Sequence, residues 1–183
     1  MLLVRGGNAA GYYALHIADT FNFLLQNVVM VVGSNGVFID NVADNYNYGN
    51  ALVNLLEIRV NASRTGLKIL GTATHNFNLM QFNYVSVVSS VTNANVGIDV
   101  DAGNFITFIN ADLEGVATAI DLASCQFVTF INPYVSTDVN IANNAYNTTF
   151  VSGRLYGTVT DACVTAGRTT SYFGTGGANG ASL

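Results

Sequence analysis

The sequence has very little charge and almost no proline or lysine. Of its 183 residues only six are basic and eleven acidic, Lys68 is the only lysine, and Pro133 is the only proline. Uncharged polar groups must therefore cover much of the surface, and the chain supplies 23 asparagines besides many serines and threonines. Val, Ile, Phe, Tyr, Thr, Asn and Gly dominate while strong helix formers are scarce, a composition typical of strands and turns.

Several function classes lack their usual sequence signals. The basic residues are scattered, with no patch or aromatic-basic motif, so nucleic acid is not an expected partner. No apolar run reaches the ~18–20 residues that span a membrane, so no membrane insertion is expected. His16 and His75 lie far apart with no cysteine or carboxylate cluster at ligand spacing, which argues against a zinc site.

One six-residue segment occurs twice, 22 residues apart. Residues 105–110 read Phe-Ile-Thr-Phe-Ile-Asn, and residues 127–132 read Phe-Val-Thr-Phe-Ile-Asn. A strand-like tetrad precedes each copy, at 97–100 and 119–122, and similar units begin near residues 11, 36, 66 and 138. Short alternating strands without a sustained helical period, recurring at such offsets, predict an all-β solenoid.

Stacking of these units ~4.8 Å apart predicts columns of equivalent residues. Two inward columns, all aliphatic, are Leu15, Val37, Leu67, Ile98, Ile120 and Val139, and Ile17, Ile39, Ile69, Val100, Leu122 and Ile141. Asn110 should stack on Asn132 and then Ser152 as a side-chain ladder, with Gln26, Asn54 and Gln81 as weaker candidates to continue it. The aromatic residues of the repeated segment are predicted to lie in the core.

The two cysteines are predicted to be free and mostly buried. Cys125 and Cys163 are nearly two repeats apart, which separates like positions by ~9–10 Å, whereas a disulfide needs Cα atoms within ~7 Å. The domain organisation predicted is a lead-in over residues 1–10, a β-helix domain over residues 11–173, and a flexible Gly-rich tail over residues 174–183.

The Gly-x-x-Ile openings, the Phe-x-x-Phe-Ile-Asn turns and the irregular loops resemble the right-handed parallel β-helix of the pectate-lyase-like (pectin-lyase-like) superfamily. The Asn-, Gly- and Tyr-rich, Lys-poor composition is most similar to that of bacteriophage tailspike proteins, over about residues 11–157. The resemblance implies an all-β, right-handed single-stranded parallel β-helix of about six to seven coils of ~20–30 residues. It also implies a homotrimer on the virion tail, outside the cell, that binds and often cleaves host cell-surface polysaccharide.

The first candidate site is the outward column between the two inward ones, which reads His16, Phe38, Lys68, Asp99, Asp121 and Asn140. Asp99 and Asp121 should lie ~4.8 Å apart, with Asp101 ~6.6 Å from Asp99 on the same face, so repulsion should raise at least one pKa. Such carboxylate spacings suit the acid and nucleophile or base of a glycosidase. The alternative is a solvated acidic ladder paired with Lys68. No cofactor is expected, with bound Ca²⁺ as a lesser alternative.

A second outward column holds Glu57, Asp112, Tyr134 and Arg154, with Tyr84 near it. Acidic, aromatic and arginine side chains together suit a sugar, and Asp112 with Glu114 is a second candidate catalytic pair. A trimer interface or a plain polar face is the alternative, since Tyr and Arg are also enriched at interface hot spots. In the loop over residues 41–50, Tyr46 and Tyr48 alternate with asparagine and are further candidates for glycan contact, with a loop that has no binding role as the alternative.

Three functions remain open from the sequence. The leading hypothesis is a tailspike-type structural and host-polysaccharide recognition module, possessing or lacking depolymerase activity. The second is a β-helix endoglycosidase or polysaccharide lyase that acts on bacterial surface glycan; a single lysine weakens the lyase version. The third is a monomeric β-helix adhesin, secreted or held at a bacterial cell surface.

Overall fold

The structure, a computed structural model, describes residues 2–6, 12–18, 22–32, 35–41, 48–60, 64–72, 76–89, 95–165 and 168–174. The first strands are β1 (Leu2–Gly6), β2 (Tyr13–Ala18), β3 (Asn22–Val32), β4 (Asn35–Asp40), β5 (Tyr48–Val60), β6 (Thr65–Leu70), β7 (Asn76–Phe82), β8 (Val85–Ser89) and β9 (Val96–Asp101). There follow β10 (Gly103–Ile109), β11 (Ala111–Glu114), β12 (Thr118–Leu122), β13 (Cys125–Ile131), β14 (Tyr134–Val135), β15 (Asp138–Ile141), β16 (Thr148–Val151), β17 (Arg154–Leu155), β18 (Val159–Asp161), the short helix α1 (Ala162–Thr165) and β19 (Thr170–Phe173).

These strands form two curled parallel sheets. The first sheet has the order β18-β15-β12-β9-β6-β4-β2, and each strand pairs with its equivalent in the neighbouring unit. The second sheet contains the other strands and bends within β5, because residues 48–53 pair with β7 while residues 56–60 pair with β8. The chain is thus all-β, and this arrangement is compatible with a β-solenoid. Part of the predicted lead-in, β1, pairs with β3.

Both predicted inward columns are confirmed. The first sheet pairs Leu15 with Val37 and continues through the same register to Val139. The neighbouring column runs in step from Ile17 to Ile141. From the second unit onward these side chains are at most 1% exposed, and they form one apolar core with the inner residues of the second sheet.

The glycine that opens several units is required by the close approach of neighbouring strands. A Cβ atom on Gly36 would lie 2.3 Å from the carbonyl oxygen of Gly66, and one on Gly97 would lie 2.6 Å from that of Ala119. Real Cβ atoms do not approach a backbone oxygen so closely. The glycine of the Gly-x-x-Ile pattern therefore lies near the start of a first-sheet strand, where the backbones of neighbouring strands come too close for a side chain.

The predicted asparagine ladder is confirmed at its centre. Asn132 Nδ2 donates a hydrogen bond to Asn110 Oδ1 over 2.9 Å, and both residues have φ near +50°. Ser152 continues the column with the same backbone conformation. Gln26 and Asn54 lie one residue earlier in the register, and Gln81 pairs with Thr107, so these three do not extend this ladder.

The aromatic residues of the repeated segment are split between core and surface, so the prediction that they are core residues is wrong for half of them. Phe108 and Phe130 are fully buried in a stack of rings that runs from Phe82 to Tyr172. Phe105 and Phe127 are 50% and 42% exposed. Both have φ of 54°, which turns the chain and directs these side chains outward.

Cys125 and Cys163 are free and buried, as predicted. Burial raises the pKa of the Cys125 thiol to about 12. The part of the chain that the structure describes contains no helix long and apolar enough to cross a membrane. Of the predicted Gly-rich tail, only Gly174 lies within the described residues.

Candidate functional site

The acidic column forms on the outer face of the first sheet in the predicted register. Lys68 pairs with Asp99, and Asp99 pairs with Asp121. Lys68 Nζ donates a hydrogen bond to Asp99 Oδ2 over 2.8 Å, and both side chains are partly buried. Lys68 thus neutralises the Asp99 carboxylate, as expected for an acidic ladder paired with Lys68. Asp121 lies one strand further from Lys68.

The two carboxylates of this column have different surroundings. Burial and then the charge of Asp99 raise the pKa of Asp121. Burial by itself would lower the pKa of Lys68, but the hydrogen bond and charge of Asp99 outweigh it, and the pKa is raised. A carboxyl with a raised pKa beside an ion-paired carboxylate is an arrangement that general acid catalysis can use.

The second outward column lies on the part of the second sheet formed by residues 56–60 of β5 with β8, β11, β14 and β17, which we call the rear part. Glu57 and Asp112 both pair with Ser86, and Asp112 then pairs with Tyr134, which pairs with Arg154. Burial and then the charge of Glu114 raise the pKa of Asp112. Arg154 is exposed, and Nη1 donates to the hydroxyl of Tyr156 over 3.1 Å.

The remaining tyrosine candidates do not join this column. Tyr84 lies two residues before Ser86, in the turn between β7 and β8. Tyr46 is outside the described residues, and only the backbone of Tyr48, at the start of β5, is described. Among the described residues, no group of three or more His, Cys, Asp or Glu side chains is placed to hold a metal ion.

A polar groove lies where the chain passes from the first sheet to the second. It has a volume of about 490 Å³. Its polar side chains include Asp101, Asn104, Gln126, Tyr146 and Arg168. Asp101 ends β9, whereas Asn104 and Gln126 occupy equivalent positions in β10 and β13 and pair with each other. The stacking of successive units therefore places amides side by side along one wall.

Arg168 is held over this groove by its neighbours. Its guanidinium carbon lies 4.8 Å from the centroid of the Tyr146 ring, and Nη1 donates to the carbonyl oxygen of Asn143 over 2.8 Å. The backbone of Tyr146 is fixed to β13 by two hydrogen bonds, from its N–H to Cys125 O and from Phe127 N–H to its own carbonyl. The hydrogen bonds that the Arg168 guanidinium donates to other described residues all come from Nη1. Its Nε and Nη2 donors are therefore left for a ligand.

The groove combines the chemical groups that bind sugars. A carboxylate and amide oxygens accept hydrogen bonds from hydroxyl groups, while the amides and the guanidinium donate to hydroxyl and carboxyl oxygens. Of the predicted site candidates whose side chains the structure describes, only Asp101 lines this groove. Asp99 and Asp121 remain on the first sheet, and Asp112 on the rear part of the second sheet.

The sequence contained one signal for the residues that were missed. Asn104 and Gln126 are both amides at the 22-residue offset, directly before the first phenylalanine of each repeated segment. Tyr146 forms a bridge to Gln126 and continues that column, although the spacing has shortened to 20 residues. Nothing in the local pattern indicates Arg168, which reaches the groove from the segment after α1.

Comparison with protein-family models, with curated proteins and with solved structures finds no match for this chain.

Proposed function

We propose that the two curled sheets are parts of one right-handed, single-stranded parallel β-helix of about six to seven coils. The parallel pairing of every strand in the first sheet with its equivalent in the next unit supports this proposal. The stacked columns of aliphatic and aromatic side chains support it further, since identical positions recur above one another.

On this scaffold, the chain acts as a carbohydrate-recognition module that binds bacterial cell-surface polysaccharide. The observation that carries the proposal is the groove of about 490 Å³ lined by Asp101, Asn104, Gln126, Tyr146 and Arg168. Uncharged amides with one carboxylate and one guanidinium match the dense hydroxyl groups of a glycan. Binding clefts of this size are typical of small-ligand sites.

The biological setting proposed is that of a phage tailspike-type receptor-binding protein. The chain would then self-associate as a homotrimer on the virion tail and present its grooves to the host surface. The resemblance in composition and repeat pattern supports this setting, and the low charge of the surface suits contact with neutral polysaccharide.

The test is direct binding to purified bacterial O-antigen and capsular oligosaccharides, first on an array and then by calorimetry. We expect Arg168→Ala to weaken binding of the best glycan by about 10-fold or more, the effect of losing a charged hydrogen-bond donor. Asp101→Asn should weaken it less, because the amide keeps one acceptor. Arg59→Ala is the matched control, an exposed arginine on the second sheet outside the groove.

Two results would reject this site. Wild-type protein that binds no glycan on the array would remove the proposed function. Binding that is lost with Arg154→Ala but kept with Arg168→Ala would move the site to the column of Asp112 and Tyr134.

Glycan cleavage is the second candidate function, and the raised pKa of Asp121 favours it. Asp121 would act as the acid with Asp99 or Asp101 as its partner, while Asp112 and Glu114 form the other candidate pair. Incubation with a bound polysaccharide should release reducing ends if the chain is a hydrolase, or unsaturated sugars if it is a lyase. Cleavage that survives both Asp121→Asn and Asp112→Asn would rule out both pairs.

A further inference from the structure

One part of the second sheet has no charged residue. It consists of β7, β16 and β19 together with residues 22–26 of β3, 48–54 of β5, 105–109 of β10 and 127–131 of β13, and we call it the front face; it begins just beyond Asn104 and Gln126 of the groove. None of these segments contains Asp, Glu, Lys or Arg, although the chain carries 17 such residues elsewhere. Depletion of charge together with enrichment of aromatic residues distinguishes the centre of a protein interface from the remaining surface.

The front face also exposes large apolar side chains. Leu24 and Leu79 are 61% and 66% exposed. Leu52 pairs with Leu24, and all three leucines line one depression. Phe105 and Phe127 follow Leu79 in one column of exposed side chains. These five residues lie on neighbouring strands, and contiguous exposed apolar patches mark interaction sites.

The backbone conformation of this apolar column does not call for bulky side chains. Leu79, Phe105 and Phe127 all have φ between 54° and 57°, a region that bulky residues rarely adopt. Asn147 has φ of 57° in the same column, and the equivalent turn at the other end of these strands uses Asn110, Asn132 and Ser152 as well as Leu55. Asparagine therefore satisfies this geometry, and folding by itself does not account for exposed phenylalanine at positions 105 and 127.

The shape of the patch favours a protein surface over a sugar as its partner. The Phe105 and Phe127 rings stack face to face, 4.7 Å apart and 2° from parallel, so each ring covers one face of the other. The pair forms a ridge that presents ring edges. Next to it, Phe23, Leu24, Ala51, Leu52 and Leu79 line an open apolar depression of about 560 Å³. The same face thus contains both a ridge and a depression.

We infer that the front faces of the three copies in the proposed homotrimer meet around its axis, each packing against the front faces of its neighbours, with the Phe105–Phe127 ridge as the anchor. The inference rests on the self-association included in the proposed function and assigns a surface to it. Two copies that each carry a net charge of −5 repel, and a face without charged residues is where this repulsion is weakest. The face measures about 29 Å by 20 Å, or about 580 Å² as a flat area, which is of the same order as the ~800 Å² per partner of a standard interface.

The test replaces the ridge with asparagine, the residue already present at position 147. Because asparagine tolerates positive φ, the double variant Phe105→Asn/Phe127→Asn should fold. We expect wild-type protein to be oligomeric by light scattering and sedimentation at ~100 μM, and the double variant to dissociate at least about 30-fold more readily, the effect of losing one hot-spot residue. Tyr12→Asn is the control, since Tyr12 is 71% exposed and lies outside the front face.

A second measurement locates the contact. Thr107→Cys places a thiol on the front face, and Thr160→Cys places one on the outer face of the first sheet. A bismaleimide should link copies through position 107 and not through position 160. The native thiols are buried, and their raised pKa values keep them protonated and slow to react.

Monomeric wild-type protein at ~100 μM, or an unchanged mass for the folded double variant, would overturn the inference. Crosslinking at position 160 with none at position 107 would do so as well. Glycan binding is measured separately on the same proteins. If an oligomer forms through the front face but no glycan binds, only the proposed recognition function fails.

Discussion

Phe127 and Phe130 lie three residues apart in one strand, and their substitution should separate the core from the surface. Phe130 is 0% exposed and stacks between Phe108 at 4.9 Å and Phe150 at 5.1 Å. Burial of ~200 Å² at ~25 cal/mol/Å² amounts to about 5 kcal/mol, near the upper end of the 3–5 kcal/mol typical of Phe→Ala. We expect Phe130→Ala to lower the free energy of unfolding by about 4 kcal/mol.

Phe127→Asn should cost far less. Phe127 is 42% exposed, so its burial contributes about 3 kcal/mol at most, and about 2 kcal/mol once residual burial in the unfolded chain is considered. Asparagine at φ of 54° recovers about 1 kcal/mol of backbone strain, which leaves a net loss of about 1 kcal/mol.

Urea unfolding followed by far-ultraviolet circular dichroism, at one fixed protein concentration, measures both changes. In thermal unfolding of the same proteins, the melting temperature should fall by roughly 8–16 °C for Phe130→Ala and by roughly 2–4 °C for Phe127→Asn. A larger loss for Phe127→Asn than for Phe130→Ala would refute the assigned register, because a shift of one residue exchanges the inner and outer faces of a strand, and equal losses would contradict the difference in burial. A helical spectrum for the wild-type protein would refute the fold.

Three further predictions concern the polar columns. Asn132→Ala should lower the free energy of unfolding by about 2 kcal/mol, from a lost hydrogen bond to Asn110 and an unfavourable φ, whereas Asn132→Gly should cost only about 1 kcal/mol in the same urea experiment. Asp121→Asn should stabilise the protein by up to about 1 kcal/mol at pH 7, because the raised pKa of Asp121 means that the folded state disfavours its charged carboxylate. In thermal melts this gain should disappear as the pH falls below about 3.9, where the carboxyl is protonated in both the folded and the unfolded state. Lys68→Met should destabilise the protein by up to about 1 kcal/mol below about pH 10.4, and the difference should vanish as the pH rises through the raised pKa of Lys68; an equal loss at all pH values would contradict the ion pair.

The repeat in the sequence was sufficient to predict the stacked columns, and the reason is physical. Strand side chains alternate with a period of two, so a fixed offset of 22 residues brings Asp99 over Asp121 and Asn110 beside Asn132. The column containing Asp112, Tyr134 and Arg154 followed from the same argument.

The alternation rule fails where the backbone leaves the extended region. Phe105 and Phe127 lie three residues before the buried Phe108 and Phe130, so alternation itself places them on the outer face, and the predicted core position for both rings was wrong. Positive φ at Phe105 and Phe127 breaks the alternation, so the residue before each of them also lies outside the core. The same turns place Asn104 and Gln126 in the groove, which no period-two pattern indicates. Arg168 could not be predicted, because its position depends on the path of the chain after α1.

Equivalent units pair with one another in register, and this determines how such a chain can change in length. Residues 105–126 lie between two equivalent positions, so their removal would join Asn104 to Phe127 and leave a phenylalanine after an amide, as in the wild-type sequence. Each remaining unit would still meet a neighbour with matching side chains. Deletions or duplications of whole units are therefore compatible with the stack, whereas a deletion of a few residues within β10 would displace every column beside it.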